Sequence, residues 1–345
     1  MEVELWVSKV FWRHRTPDGS FHPENPRRLD IVVNAVRNEL GEAVRFRNVE
    51  LYDERTPLRI HDPSYVERVR RLCEAGGGWI DSDTYVSRDS WGAAVVAATS
   101  SSKAVEEARS RGVAIFVATR PPGHHAGKSG KGLGAATQGF CIFNNVACAA
   151  SRALELGLSP VLIVDFDLHH GNGTQDIFWS DPRVVHFDAH LHGIYPGTGW
   201  VSDVGGEGAE GTKINLAVGY GFGDDDYVYA FKELLPPIVD YFSPRAILVS
   251  AGFDSYEDDY LEGLYLTERF FRFVGGFLAS IARERGAPLV AVLEGGYSVG
   301  LSRGLPAFLE GILSEESEVG CVEPSPRARS LVEEVRAELR RYVAL

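Results

Sequence analysis

The chain has 345 residues, of which 44% are hydrophobic and 24% are charged, close to the averages of globular proteins. This composition excludes a disordered chain, a collagen-like fibre and a coiled coil, and no apolar run reaches the roughly 18 residues of a membrane span. The net charge of −13 argues against direct nucleic-acid binding and either favours a cationic partner or serves solubility alone.

The cysteines and the N-terminus indicate a compartment. The four cysteines show no CxxC spacing and are too sparse for a disulfide framework. The first residues, MEVELWVSKVFWRHR, lack the basic region and apolar stretch of a signal peptide. We therefore predict a cytoplasmic protein with no membrane association. The sequence does not determine its oligomeric state.

Short runs rich in Val and Ile alternate with longer amphipathic segments along the chain. The first 85 residues are mixed, with a loop-like stretch at 14–28. Strands buried on both faces are predicted at 113–118, 161–166, 184–187, 214–218, 246–251 and 289–293. Helices are predicted at roughly 90–110, 142–157, 226–241 and 267–285. A linker at 314–326 and a last helix at 327–342 follow.

This alternation predicts an α/β fold with an open, mostly parallel sheet and helices on both faces. The pattern alone does not separate such a sheet from a closed barrel. We find no boundary for a second domain, so residues 1–345 are predicted to form one domain.

Polar side chains follow five of the predicted strands, at the point where each strand ends. They lie in the segments 120–125, 165–173, 188–192, 252–254 and 294–297. Ligands of open α/β sheets bind beyond the carboxyl ends of the strands. Seven of the ten histidines lie between positions 124 and 192. The sequence therefore predicts a site at this edge of the sheet.

Asp167 and His169 are separated by one residue at the end of the strand predicted at 161–166. Alternate residues of a strand point to the same side, so both side chains are expected to face one ligand. With Asp254 they would supply three metal ligands and leave an open position, as in catalytic zinc sites. Loop capping is the ordinary interpretation of an isolated Asp-x-His pair, but the neighbouring segments favour a metal. The tandem His124-His125 either adds ligands or forms an acid–base pair.

Two glycine-rich patterns do not predict a nucleotide site. Segment 123–129 has one residue too few between its glycines for a phosphate-binding loop. Segment 206–211 precedes a strand instead of opening a helix. No cofactor-binding residues are predicted from either pattern.

Six segments together resemble the histone deacetylase family of zinc amidohydrolases, which has the arginase–deacetylase fold. They are RPPGHHA (120–126), GFCIFNN (139–145), VDFDLHHGNGTQDIF (164–178), YPGTG (195–199), SAGFDS (250–255) and LEGGY (293–297). The similarity extends from about residue 22 to about residue 313. Asn172 and Glu294 resemble the class II branch and its bacterial or archaeal relatives, and acetylpolyamine amidohydrolases and acetoin-utilisation proteins share most of the motifs.

The resemblance implies roles for the matching residues. The metal, zinc or alternatively iron(II), would be bound by Asp167, His169 and Asp254. The catalytic groups would be His124, His125 and Tyr297, with Asp165 orienting His124 and Asn172 orienting His125. Tyr297 would polarise the substrate carbonyl. A narrow tunnel for the acyl-amine stem would be lined by Gly139, Phe140, Tyr195 and Leu261.

Asp188 departs from the family pattern. Relatives usually have Ser or Thr at this position. The hydroxyl of that residue helps to bind a structural potassium ion, together with main-chain carbonyls of 165–169. A carboxylate at this position either strengthens cation binding or selects a different cation. The resemblance therefore implies a potassium ion, at a site that Asp188 makes uncertain.

The predicted function is zinc-dependent hydrolysis of the amide of an acylated primary amine, such as acetyl-lysine in a protein or an acetylated polyamine. One alternative is an arginase-like hydrolase with two metals, which needs further Asp and His ligands. Another is a catalytically silent binder of acyl-lysine, which should have lost a metal ligand, Tyr297 or one of the tandem histidines. The substrate stays open, and Asp83 is a candidate for contact with its backbone.

Overall fold

A computed structural model of the chain describes residues 1–17, 22–259, 263–314 and 320–344. The strands in these ranges are β1 (Val3–Val7), β2 (Val44–Asn48), β3 (Gly77–Trp79), β4 (Tyr85–Ser87), β5 (Ala114–Val117), β6 (Ala126–Gly127), β7 (Gly130–Lys131), β8 (Val161–Asp165), β9 (Val184–Leu191), β10 (Lys213–Val218), β11 (Ala246–Ala251) and β12 (Leu289–Leu293). The helices are α1 (Arg27–Leu40), α2 (Pro63–Glu74), α3 (Ser90–Arg111), α4 (Asn145–Glu155), α5 (Asn172–Ile177), α6 (Asp224–Phe242), α7 (Glu268–Arg285), α8 (Leu305–Ser314) and α9 (Pro326–Leu339).

Eight of the strands form one parallel sheet in the order β10-β9-β8-β11-β12-β5-β1-β2. The predicted open parallel sheet is confirmed, and a barrel is excluded because β10 and β2 are edges. The other strands pair as two short antiparallel hairpins, β3-β4 and β6-β7.

Side chains of the central strands alternate between two hydrophobic cores, one on each face of the sheet. Leu162 and Val164 of β8 pack in the core that includes α6, α7 and α8. Val161 and Ile163 of the same strand pack in the core that includes α4 and the C-terminal part of α3. Burial on both faces explains why these strands are apolar at nearly every position before their carboxyl ends.

The N-terminal region holds elements that were not predicted from the sequence. Strand β2 lies at the edge of the sheet and is largely exposed, so its sequence VRFRN lacks the apolar run of a buried strand. Helix α1 begins within the stretch predicted as a loop at 14–28. At the other end of the chain, the predicted last helix is present as α9, which packs against α6 and β10.

The topology places a crevice beside β8 and β11. These strands are neighbours, but the chain leaves β8 towards β9 and leaves β11 towards β12, in opposite directions. Such a switch point opens a ligand crevice beyond the carboxyl ends of the two strands. The segments with Asp167, His169 and Asp254 follow these strands directly.

Two further features concern the chain as a whole. Cys73, Cys141, Cys148 and Cys321 are all free, and the first three are buried. Within the described ranges, no helix combines the length and the apolar character needed to cross a membrane.

Candidate active site

Three side chains converge in the crevice closely enough to hold one metal ion. Nδ1 of His169 lies 3.2 Å from Oδ1 of Asp167 and 3.1 Å from Oδ2 of Asp254. One ligand atom from each residue lies within 4.8 Å of the others. The sequence predicted this set, and the structure brings its members together.

The reason for this convergence differs from the one predicted. Strand β8 ends at Asp165, so Asp167 and His169 lie in the following loop and strand alternation does not align them. Instead, Oδ1 of Asp167 accepts the backbone N–H of His169 at 2.9 Å, and its Oδ2 accepts the N–H of Gly295 at 2.7 Å. Oδ1 of Asp254 accepts the N–H of Leu168 at 3.0 Å. These bonds fix the loop after β8 against the loops after β11 and β12.

The donor set fits a zinc-type cation. Oδ2 of Asp254 is buried and has no hydrogen-bond partner among the residues that the structure describes, and buried polar atoms rarely lack one. Burial alone lowers the pKa of His169, but the adjacent carboxylates of Asp167 and Asp254 raise it to about 9. The two carboxylates therefore attract positive charge to this point, and one imidazole with two carboxylates is a ligand set that zinc accepts.

The tandem histidines lie beside this cluster, each fixed by a different partner. Nδ1 of His124 is 3.0 Å from Oδ2 of Asp165, and Nδ1 of His125 is 2.7 Å from Oδ1 of Asn172. The two ring centroids are 4.0 Å apart. Both contacts are those that the family resemblance implied.

The environment gives the two imidazoles opposite pKa shifts. Burial alone lowers the pKa of His124, but the charges of Asp165 and Asp167 raise it well above the usual range. Burial lowers the pKa of His125 well below that range, and the positive charges of His124 and His169 lower it further. A pair with separated pKa values provides one charged and one neutral group for acid–base chemistry.

Aromatic side chains and a glycine form a wall next to His125. Gly139 has φ +52°, and a Cβ on it would lie 2.5 Å from Cδ2 of His125 and 2.9 Å from Cε1 of Tyr195. The Tyr195 ring packs edge-on against His125 at 4.9 Å, and its hydroxyl donates to the carbonyl of Thr137 at 2.9 Å. Only glycine fits between these two rings.

Phe140 and Tyr297 lie on the same side of the site. Their rings pack edge-on at 6.2 Å. Burial raises the pKa of Tyr297 well above the usual range, so its hydroxyl stays protonated and can donate. Of the four predicted tunnel residues, Gly139 and Tyr195 lie beside His125, Phe140 packs against Tyr297, and Leu261 lies outside the described residues.

A family model for the histone deacetylase domain matches residues 22–312 of the chain. The chain belongs to the histone deacetylase family.

Two of the three relatives described next are named as deacetylases. The chain is 43% identical over 330 residues to an uncharacterized protein of Methanocaldococcus jannaschii, covering 94% of this chain and 93% of the relative. It is 35% identical over 322 residues to a probable deacetylase of Methanothermobacter thermautotrophicus, covering 92% of each. Histone deacetylase 14 of Arabidopsis thaliana is 35% identical over 318 residues, covering 86% of this chain and 74% of the relative.

A solved structure matches the fold. The crystal structure of the HDA15 HD domain superposes with a TM-score of 0.89 and 30% sequence identity, covering 99% of this chain and 95% of that one. Membership in the histone deacetylase family supports a hydrolytic deacetylase and agrees with the eight-stranded parallel sheet.

Glu294 supports the tandem histidines of this deacetylase-family site, a role that the sequence did not indicate. Its Oε2 accepts the backbone N–H groups of Gly123 and His124 at 2.7 and 3.1 Å. Burial raises the pKa of this carboxyl group to about 7. Its position directly after β12, among the other polar strand ends, was the available signal.

Arg28 and Asp259 were also missed, because the sequence gives no signal for contacts over such separations. The Arg28 guanidinium stacks 5.0 Å from the ring centre of Tyr297 and donates to the carbonyl of Gly296 at 2.7 Å. Asp259 accepts the backbone N–H of Tyr297 at 3.1 Å. Both residues position Tyr297 from outside the motif that contains it.

Asp83 lies near the aromatic wall of the site and acts on it through a neighbour. Its carboxylate accepts the hydroxyl of Thr84 at 2.7 Å, and that hydroxyl accepts the N–H of Phe140 at 3.2 Å. Phe140 has φ +71°, a conformation uncommon for residues other than glycine. The Asp83–Thr84 pair therefore helps to hold Phe140 in place.

Proposed function

We propose that this chain is a zinc-dependent deacetylase that hydrolyses the amide of an acylated primary amine, with acetyl-lysine or acetylpolyamine-like substrates. One observation carries the proposal: the cluster of Asp167, His169 and Asp254 lies beside His125, a neutral imidazole that Asn172 orients. Family membership supports the hydrolytic reaction, and the free cysteines support a cytoplasmic location.

The chemistry that zinc supplies at such a site is Lewis acidity, which polarises the amide carbonyl and lowers the pKa of water from ~16 towards ~7. Asp167, His169 and Asp254 would hold the ion. An amide is a weak electrophile, so the side chains around the ion must also move protons and stabilise charge.

His125 moves the proton in this proposal. Asn172 donates from Nδ2 to the carbonyl of Gly132 at 2.7 Å, so its Oδ1 faces His125 and can only accept. Nδ1 of His125 must then carry the hydrogen, which leaves the lone pair on Nε2. Nε2 takes the proton of the attacking water and passes it to the nitrogen of the amine as the C–N bond breaks.

His124 and Tyr297 stabilise charge. His124, whose pKa Asp165 and Asp167 raise, carries a positive charge next to the reacting centre. The hydroxyl of Tyr297 donates to the carbonyl oxygen as it becomes negative. A donor of this kind contributes ~10²–10³ to the rate in enzymes with comparable oxyanion sites.

The walls of the site and the net charge support the proposed substrate class. Phe140 and Tyr195 offer apolar faces to an extended methylene stem, and the net charge of −13 attracts a molecule that carries positive charge. Both properties suit lysine side chains and polyamines.

The alternatives have less support. An arginase-like centre needs a second ion that shares ligands with the first, and among the described residues no other candidate donor group shares a residue with Asp167, His169 and Asp254. A silent binder should lack part of the machinery, whereas the three ligands, both histidines and Tyr297 are all present.

A substrate panel tests the proposal. Purified protein of measured metal content is incubated with acetyl-lysine peptides, acetylated polyamines, longer acyl-lysines and arginine, with and without a hydroxamate chelator. We expect hydroxamate-sensitive release of the acyl group from one amine class. Urea production from arginine would favour the arginase-like alternative, and a lack of turnover with zinc bound would favour the silent binder.

A further inference from the structure

A second group of buried donor atoms adjoins the first site on β8 and β9. In the parallel register Asp165 pairs with Asp188, and Ile163 pairs with His186. Asp165, His186 and Asp188 are all 0% exposed, and one donor atom of each lies within 4.8 Å of the others. In the proposed mechanism Asp165 acts only through His124, and His186 and Asp188 have no role.

His186 gives an independent indication of a ligand. Both ring nitrogens are buried and have no hydrogen-bond partner among the described residues. Nε2 lies 3.5 Å from Oδ2 of Asp188. Two donors on one tetrahedral zinc ion, with bonds of ~2.1 Å, are about 3.4 Å apart. The distance between Nε2 of His186 and Oδ2 of Asp188 therefore suits two donors that bind the same ion.

The donor chemistry disagrees with the potassium ion that the family resemblance implies. Imidazole nitrogen suits zinc, copper, iron and nickel, and the hard cations prefer oxygen ligands. Here Asp188 takes the place of the usual hydroxyl, and the group also contains the His186 imidazole and a second carboxylate, Asp165. Asp188 also accepts the N–H of Gly171 at 2.8 Å and faces Nδ1 of His190 at 2.7 Å, and each carboxylate oxygen keeps a second lone pair for an ion.

We infer that Asp165, His186 and Asp188 bind a second divalent ion of the first transition series, in the region where relatives hold a monovalent one. This site shares no ligand with Asp167, His169 and Asp254. It meets the first site through Asp165, whose Oδ2 contacts His124. The second ion would therefore hold Asp165 in the position that orients His124.

Metal titration tests this inference without measuring activity. Metal-free protein is titrated with Co²⁺, desalted and analysed for bound metal, and the visible spectrum of the bound ion is recorded. We expect two ions per chain in the wild type and one in His186→Val, which removes one donor and keeps a β-branched residue in β9. Asp188→Ser, which restores the usual hydroxyl, should also bind one.

Asp167→Asn separates this inference from the proposed function. It should lose the ion of the first site and keep the second, with a spectrum that differs from that of His186→Val. Retention of two ions by Asp167→Asn would contradict the proposed ligand set and leave the second site standing. Thermal unfolding of each metal-free variant checks its fold. If a variant does not fold, the number of Co²⁺ ions bound per wild-type chain tests the inference.

Two results would overturn the inference. One is a single Co²⁺ per chain in the wild type, with no loss in His186→Val. The other is loss of the second ion when tetramethylammonium chloride is replaced by potassium chloride at equal ionic strength, because the site would then prefer the monovalent ion. Retention of both ions in potassium chloride supports a divalent site.

Discussion

Oδ1 of Asn172 lies 2.7 Å from Nδ1 of His125 and accepts its hydrogen, so Nε2 is the basic nitrogen of the ring. A neutral amide orients the imidazole as a carboxylate would, but it adds no charge to stabilise the protonated ring. His125 therefore has a fixed tautomer, and burial holds its pKa well below its usual range.

This relationship predicts a change in the pH dependence of Asn172→Asp. A carboxylate stabilises the protonated imidazole, so the pKa of His125 rises. Because the protonated ring cannot accept the proton of water, the acidic limb of kcat/KM should move to higher pH. Profiles of the wild type and of Asn172→Asp test this, with Asn172→Leu as the uncharged control. An acidic limb at the same pH in wild type and Asn172→Asp would show that His125 is not the base.

Tyr297→Phe tests the carbonyl-polarising role. The variant keeps the ring that stacks on Arg28 and removes only the hydroxyl. We expect kcat to fall by ~10²–10³ while the bound metal stays unchanged. Steady-state kinetics and metal analysis on the same preparation provide the two readouts. Wild-type kcat in this variant would remove Tyr297 from the mechanism.

Gly139→Ala tests the packing beside His125. The new Cβ would meet both His125 and Tyr195, so kcat/KM should fall by at least ~10-fold, since misplacing a catalytic group by 1 Å can cost ~10². Gly134→Ala is the matched control, because Gly134 also has positive φ but a Cβ at this position would have nothing within 4 Å. Equal losses in the two variants would indicate general backbone strain instead of a clash at the site.

Glu294→Gln should change how stability depends on pH. Burial raises the pKa of Glu294 from 4.5 to about 7, so the folded protein holds this proton more tightly than the unfolded chain. Ionisation of Glu294 therefore lowers the free energy of unfolding of the wild type by about 3 kcal/mol as the pH rises through this interval. Glutamine keeps an oxygen for the N–H groups of Gly123 and His124 and does not ionise.

Urea unfolding of the wild type and of Glu294→Gln at pH values below 4.5 and above 7 measures how the free energy of unfolding changes with pH. Relative to the wild type, Glu294→Gln should gain stability as the pH rises. Glu310→Gln, at an exposed ion pair with Arg272, should show no such trend. A constant difference between Glu294→Gln and the wild type would contradict the shifted pKa.

The sequence predicted the central sheet because burial on both faces imposes continuous apolar runs. It missed β2, whose exposed edge position allows the alternating arginines of VRFRN. It also missed α1, which begins just after the proline-rich segment HPENP. An exposed edge strand lacks the apolar run of a buried strand, whereas α1 has its buried Leu29, Val32 and Val36 at helical spacing, a pattern that was available in the sequence.

The site was predictable where its residues lie at strand ends and less so where long-range contacts hold them. Asp167, His169 and Asp254 follow from their positions after β8 and β11. Arg28 does not, because its contact with Gly296 spans 268 residues and has no local pattern. The alignment of Asp167 with His169 was predicted for the wrong reason, since backbone hydrogen bonds in a loop produce it.

Metal dependence of acyl release is the most direct test of the proposed function. Acetate release from an acetyl-lysine peptide and an acetylated polyamine is measured before chelation, after chelation and after zinc is returned, with Asp167→Ala as the variant that should bind no catalytic ion. We expect activity to disappear with the metal and to return with zinc in the wild type only. Full activity in metal-free protein, or in Asp167→Ala, would contradict zinc-dependent deacetylation at this site.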